Sequence, residues 1–224
     1  MNIINRRILA TLCFATSCSV IESIPILSEV NGTTVSYLAG VDELQYSQEF
    51  INQQTYASIN AKLGRSGNNA LLILSYIKEE FYEYVSADGV TLTLLEGMVV
   101  RSEGFQNDFH RIIPQDLIDS IQDSQSKNMS AIHNNEYYGF ISFTDPQAYE
   151  LATVSKLSLA KQDELVLING IVENVTVLEE LIYIPAVKRN IKATYWVGQG
   201  MILKQTFNSL YLPTLSLKIV KAAK

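Results

Sequence analysis

The residue best placed to do chemistry is Cys18. It follows Ala15-Thr16-Ser17, three small residues at the end of the apolar run Ile8 to Ala15, which is itself preceded by Arg6 and Arg7. A positive stretch, a short apolar stretch and small residues before a cut are the three parts of a secretory signal. Small residues leading into a cysteine also form a lipobox-like pattern, in which the chain is cut before a cysteine bearing a diacylglycerol thioether. The apolar run is about half of the roughly 20 residues that a membrane-spanning helix needs, so cleavage rather than spanning is expected. Lipoboxes usually carry Leu at the first position, where this chain has Ala15, and Ala15-x-Ser17 would also suit ordinary signal peptidase. The Arg6-Arg7 pair lacks the surroundings of a twin-arginine signal.

The thiol count separates the remaining readings. Of two cysteines, Cys13 lies inside the segment to be removed and follows bulky Leu12. Cys18 would then be the sole thiol of the mature chain, unable to form an internal disulfide, and lipidation accounts for it. Residues 1–17 are read as the signal peptide. Their loss removes Arg6 and Arg7 and no acidic residue, making the chain more acidic than its overall net charge of −6. An acidic exported domain is a poor nucleic-acid partner, and none is expected.

Other candidate chemistry is sparse. His110 and His133 lack metal-ligand spacing, and no metal or cofactor is expected. The chain has no phosphate-binding glycine loop, zinc-protease helix or nucleophile elbow. Carboxylates stand in pairs at Glu79-Glu80, Glu179-Glu180 and Asp116 with Asp119. A solvated charged face accounts for all of them, whereas glycoside hydrolysis needs two carboxyls converging at roughly 5–10 Å. Asp88 belongs to a turn, and three glycosylation-like triplets, at Asn31, Asn128 and Asn174, are read as chance. No enzymatic activity is expected. Among the aromatics, Tyr82, Tyr84, Tyr137, Tyr138 and Trp196 could stack on sugar rings, with Tyr82, Tyr84 and Trp196 the candidate glycan contacts. Core filling is the competing role for each.

These residues need elements to hold them. Hydrophobic residues make up 47% of the chain and charged ones 18%, a balance that favours a folded body. Residues 18–45 read as a lipid-anchored tether and 46–224 as one β-rich domain, with room for a short helix within 46–62. Ala70 to Ile77 is a buried-strand run. Phe81 to Ser86, Val90 to Leu94 and Met98 to Ser102 follow, joined at Asp88-Gly89 and Glu96-Gly97, giving a meander of about four strands. The pattern breaks over 105–135, where Pro114 starts a short helix through Ile121 and Gln122 to Asn128 is a loop. Strands resume at 137–143, 153–159 and 164–168, turn at Asn169-Gly170, and continue at 171–184, 191–197, 201–207 and 214–220. Pro213 suggests a bend before an edge strand. The fold class expected is mainly β: antiparallel meanders forming a sandwich or barrel-like body, with one or two short helices.

Several stretches together resemble the YjbF/GfcB capsule-polysaccharide lipoproteins. They are Tyr56-Ala57-Ser58-Ile59-Asn60-Ala61-Lys62-Leu63-Gly64 through Ala70 to Tyr76, then Tyr84-Val85-Ser86-Ala87-Asp88-Gly89-Val90-Thr91-Leu92 and Gly97 to Phe105. Near the end, Thr194-Tyr195-Trp196-Val197 leads to Leu212-Pro213-Thr214-Leu215-Ser216-Leu217-Lys218-Ile219-Val220. Residues 106–190 match only loosely. The resemblance implies an all-β periplasmic lipoprotein held at the outer membrane through Cys18, with Ser19 after it compatible with that sorting. It implies a non-enzymatic accessory factor in capsule or exopolysaccharide assembly or export. The partners it implies are the membrane and either the polysaccharide or export and assembly proteins. It brings no catalytic residue. A glycan-binding module and a carbohydrate-active enzyme are the rival readings.

Overall fold

In the computed structural model, residues 46–64, 67, 69–125 and 135–222 are described. The chain clusters into two units, 1–39 and 40–224, and every described residue belongs to the second. The signal, the lipobox, Cys18 and the tether lie outside the described residues, as do His133, Asn31 and Asn128.

A six-residue helix α1, Gln48–Gln53, opens the domain; Ser47 caps it, its Oγ accepting from the Phe50 amide at 3.1 Å. Twelve strands follow: β1 Ser58–Leu63, β2 Asn69–Lys78, β3 Phe81–Ser86, β4 Thr91–Leu95, β5 Met98–Glu103, β6 Phe109–Ile112, β7 Glu136–Phe143, β8 Ala148–Val166, β9 Val172–Ile184, β10 Arg189–Gly198, β11 Met201–Asn208 and β12 Leu215–Lys221. A helix α2, Gln115–Gln122, lies between β6 and β7. Each strand pairs antiparallel with the next, and β1 pairs with β12 from Ser58↔Lys221 to Leu63↔Leu215, closing a barrel. Of the two architectures expected, the barrel is found.

Alternation builds the walls. On β10, Ile191, Ala193, Tyr195 and Val197 point inward while Asn190, Lys192 and Thr194 point out. On β12, Leu215 and Leu217 point inward between the outward Ser216 and Lys218. This apolar-in pattern is the reverse of a membrane-spanning barrel, whose apolar side chains face lipid. No helix among the described residues is long and apolar enough to cross a membrane.

Turn chemistry sets the register. Glu96-Gly97 (φ 49° and 85°) and Gln199-Gly200 (φ 52° and 75°) put two successive residues at positive φ, as the tightest hairpin turns require. Up-and-down order then sorts the connections into two ends. At one end lie the start of β1, the turns at 79–80, 96–97, 167–171 and 199–200, and α2. At the other lie the turns at 87–90, 104–108, 144–147, 185–188 and 209–214.

A twelve-stranded barrel encloses more room than an eight-stranded one, so its lumen needs bulky filling. Phe143, Phe207, Met98 and Tyr195 are among the largest fully buried side chains. Helix α2 plugs one end with Leu117, Ile118 and Ile121. At the other end Phe143 meets Tyr211 edge-on at 4.9 Å between ring centres.

The structure corrects several expectations. The short helix expected within 46–62 is α1, but the start of β1 shares that segment. A short strand, β6, stands in the 105–135 break. The strands expected at 153–159 and 164–168 are one strand, β8, 19 residues long, whose register slips between Leu159 and Lys161. The strand after Pro213 is not an edge, because β12 pairs on both sides with β1 and β11.

Candidate functional site

β11 and β12 pair only over Lys204–Phe207 and Leu215–Lys218. Nearer the α2 end their partners are on the outer sides only, β10 for Met201 and Ile202 and β1 for Ile219 and Lys221. The seam therefore splays, and a cavity of about 170 Å³ opens there at the barrel mouth. Its walls include Ile59, Leu94, Ile202, Leu217 and Ile219, with Tyr82 and Tyr84 from β3, Glu96 from the β4–β5 turn, Gln122 from α2 and Gln205 from β11.

Most polar groups in this mouth are already spoken for. Gln122 Nε2 donates to Glu96 Oε2 at 2.8 Å. Gln205 bridges to the β4–β5 turn, donating to the Gly97 carbonyl at 2.7 Å and accepting from the Val99 amide at 3.2 Å. Lys221 Nζ donates to the Gln54 carbonyl, and Lys204 lies 4.9 Å over the Trp196 ring. Tyr82 and Tyr84 are the exceptions, neither hydroxyl having a hydrogen-bond partner among the described residues. Tyr84 is the more deeply set, 6% exposed. Burial, with a smaller contribution from Tyr82, pushes the Tyr84 pKa up to about 12, so that hydroxyl is a neutral donor at physiological pH. An apolar recess with an aromatic wall and two free hydroxyls suits a small ligand with apolar and hydroxylated faces, such as a sugar residue.

The aromatics expected to act together divide. Tyr82 and Tyr84 share the mouth, but burial removes Tyr84 from any open aromatic face. Trp196 faces outward and packs, half-buried, beside Leu165, Val175, Val177 and Leu203. Tyr137 is buried and donates to Ser120 Oγ at 2.9 Å, while Tyr138 is exposed and donates to Glu136 at 2.9 Å. Sequence alone left Glu96, Gln122 and Gln205 out of the site; Glu96-Gly97 signalled only a turn.

The paired carboxylates do not converge. Glu179 points outward to Lys192 Nζ at 2.7 Å, and Asp116 and Asp119 lie on the exposed side of α2. Glu180 overturns the solvated-face reading, being fully buried. Its Oε1 accepts from Arg111 at 2.8 Å and Ser155 Oγ at 2.7 Å, and its Oε2 accepts from Tyr195 at 2.6 Å. Arg111 also lies 5.2 Å over the Phe207 ring. Burial works against the Arg111 charge, but Glu180 and Tyr195 outweigh it and hold its pKa above the usual value. Tyr195 is pushed far up, first by burial and then by Glu180.

A wider hollow of about 590 Å³ lies on the outer face beside Arg101, Asp108, His110, Phe140 and Tyr149. Partial burial, then Arg101, lowers the His110 pKa. Asp108 is committed to its own loop, accepting from Ser102 Oγ and the Gly104 and Phe105 amides at 3.0–3.1 Å. No group of three or more His, Cys, Asp or Glu with metal-binding geometry occurs among the described residues.

Among solved structures, the chain is similar to the lipoprotein YmcC of Escherichia coli K12. The two are 14% identical, with a TM-score of 0.63 and coverage of 91% of this chain and 98% of that one. An exported protein with a YmcC-like fold from Bacteroides fragilis is 10% identical with a TM-score of 0.36, over 75% of this chain and 94% of that one. A lipoprotein from Parabacteroides distasonis is 9% identical with a TM-score of 0.34, over 75% and 95%. At these identities only the first likeness bears on the fold. No curated protein matches the chain. The family model described as "Group 4 capsule polysaccharide lipoprotein gfcB, YjbF" matches residues 31–206, most of the barrel together with the segment leading into it, and the chain belongs to that family.

Proposed function

We propose that this protein is a periplasmic lipoprotein, held at the outer membrane through diacylated Cys18, that serves capsule or exopolysaccharide assembly or export without catalysing a reaction itself. Membership of a capsule-polysaccharide lipoprotein family carries the reading. The lipobox-like Ala15-Thr16-Ser17-Cys18 supports the anchor. Two acyl chains attach a protein stably where one is marginal. Deleting the gene is expected to reduce surface polysaccharide, and a Cys18→Ala copy is expected to restore it poorly while appearing in the soluble periplasmic fraction. Unchanged polysaccharide in the deletion strain would sink the accessory role. Full complementation by Cys18→Ala would sink the anchor's part in it.

A second reading, direct contact with glycan, draws on the mouth cavity and the unpartnered Tyr84 hydroxyl. Tyr84→Phe keeps the ring and removes the donor. It is expected to weaken binding of the purified polysaccharide by about three- to tenfold in calorimetry, the value of one hydrogen bond. Equal binding by both proteins would count against the cavity as the glycan site.

A further inference from the structure

The exposed apolar side chains are not spread evenly over the barrel. Tyr56, Tyr76, Ile77, Phe81, Val166, Ile171, Val172 and Met201 are all 40% or more exposed, and all lie at the end where β1 begins. The turns at the opposite end carry Asp88, Gln106, Asn107, Asp145 and Gln147, with Tyr149 and Tyr183 the exposed large apolar side chains near them, while Phe140 and Leu181 lie exposed along the wall between the two ends.

Two hairpins account for most of the asymmetry. On β2–β3, Tyr76 and Ile77 are consecutive and so point to opposite faces, yet both are exposed; the tip has neither face packed, and its apolar side chains flank an exposed Glu79-Glu80 turn. On β8–β9, the pairs from Asp163↔Val175 to Val166↔Val172 continue beyond the last residue of β9 that β10 reaches, Thr176. The base of that hairpin stays packed, with Leu165 and Val175 buried beside Leu203 and Gln199 donating to Glu173 at 2.9 and 3.0 Å. Its tip, Val166, Ile171 and Val172, is exposed past the wall. The two tips stand six strands apart around a ring of twelve, on opposite sides of the rim.

We infer that the barrel stands on the membrane surface on this rim, with the β2–β3 and β8–β9 tips entering the headgroup layer. The Glu79 and Glu80 carboxylates stay among the polar headgroups. The occupant is a lipid surface rather than another protein for three reasons. The chain from Cys18 enters the barrel at this same end, ahead of α1. Apolar groups on two opposed projections suit a flat surface lying across the rim, not a groove. Tyr and Phe at the tips are the residue types that settle at membrane interfaces, and an apolar face buries roughly 5–10 Å into that layer. The anchoring half of this inference rests on the Cys18 reading.

The test uses the mature lipoprotein in vesicles of phosphatidylethanolamine and phosphatidylglycerol containing a nitroxide lipid. Ile77→Cys, Ile171→Cys and, at the far end, Gln147→Cys each carry a fluorescent label. Quenching several-fold stronger at 77 and 171 than at 147 is expected. Equal quenching at all three, or stronger quenching at 147, overturns the inference. Mass spectrometry of the N-terminus separates the two readings: a bare Cys18 removes the anchor alone. The tips are then judged by whether the same chain still floats with vesicles and whether Ile77→Asp with Ile171→Asp abolishes that flotation, retained flotation overturning their role.

Discussion

Replacing Glu180 with alanine is expected to destabilise the domain by about 3–5 kcal/mol, because it strands the Arg111 charge in the middle of the barrel. Arg111 is 6% exposed and Glu180 is 0% exposed, so water cannot take over the lost contact. Three donors from three strands converge on this carboxylate: Arg111 on β6, Ser155 on β8 and Tyr195 on β10. Glu180→Gln keeps an acceptor and should cost less. Tyr195→Phe removes one hydrogen bond to a charged group and should cost about 1.5–3 kcal/mol. Replacing Arg111 and Glu180 together by Met and Leu should cost far less than Glu180→Ala, since no unpaired charge remains. Urea unfolding of the four variants checks the set. If Glu180→Ala shifts stability by less than about 1 kcal/mol, the network does not have the buried ionic character that its geometry describes.

Ile121→Ala is expected to cost about 2–5 kcal/mol, the usual range for deleting a fully buried aliphatic side chain. The position matters for a second reason. Ile121 is the last inward residue of the α2 plug and precedes Gln122, which holds Glu96 at the cavity mouth. Loosening the plug should therefore widen the cavity as well as lower the unfolding midpoint. The exposed neighbour Asp119→Ala serves as the control, with an expected change within about 0.5 kcal/mol. Thermal and urea unfolding check the ranking. Comparable losses in both variants would show that α2 covers the barrel without sealing it.

How much of this was legible in the sequence depends on where each signal sits. Strands with their own turn signals could be read: Asp88-Gly89, Glu96-Gly97 and Asn169-Gly170 mark three hairpins, and each holds a glycine at positive φ. Closure could not be read, because β1 and β12 meet across almost the whole domain and neither carries a mark of its partner. Two of the family-like stretches are explained by that meeting. Lys62-Leu63-Gly64 and Leu212-Pro213-Thr214 come together where the Gly64 amide donates to the Thr214 carbonyl at 2.7 Å. Likewise, Ser86 accepts from the Val90 amide at 3.0 Å inside the Tyr84-to-Leu92 stretch. These motifs are joints of the barrel. Glu180 was misread because two adjacent strand residues face opposite ways, so an acidic pair looks solvated until the wall is drawn. Arg111 was hidden in a four-residue strand too short to show alternation. The cavity gathers residues from β3, β4–β5, α2, β11 and β12, and no local window contains them.

The pairing of β1 with β12 sets a timetable for folding. Until β12 has emerged, β1 lacks one neighbour, the mouth cavity lacks a wall and the core stays open on that side. Contacts so distant along the chain form late and slowly. A polypeptide that is to be threaded through a translocation channel must stay unlocked during transit. On the proposed export route the lock is β12, so the ring can snap shut only after nearly all of the barrel has passed through.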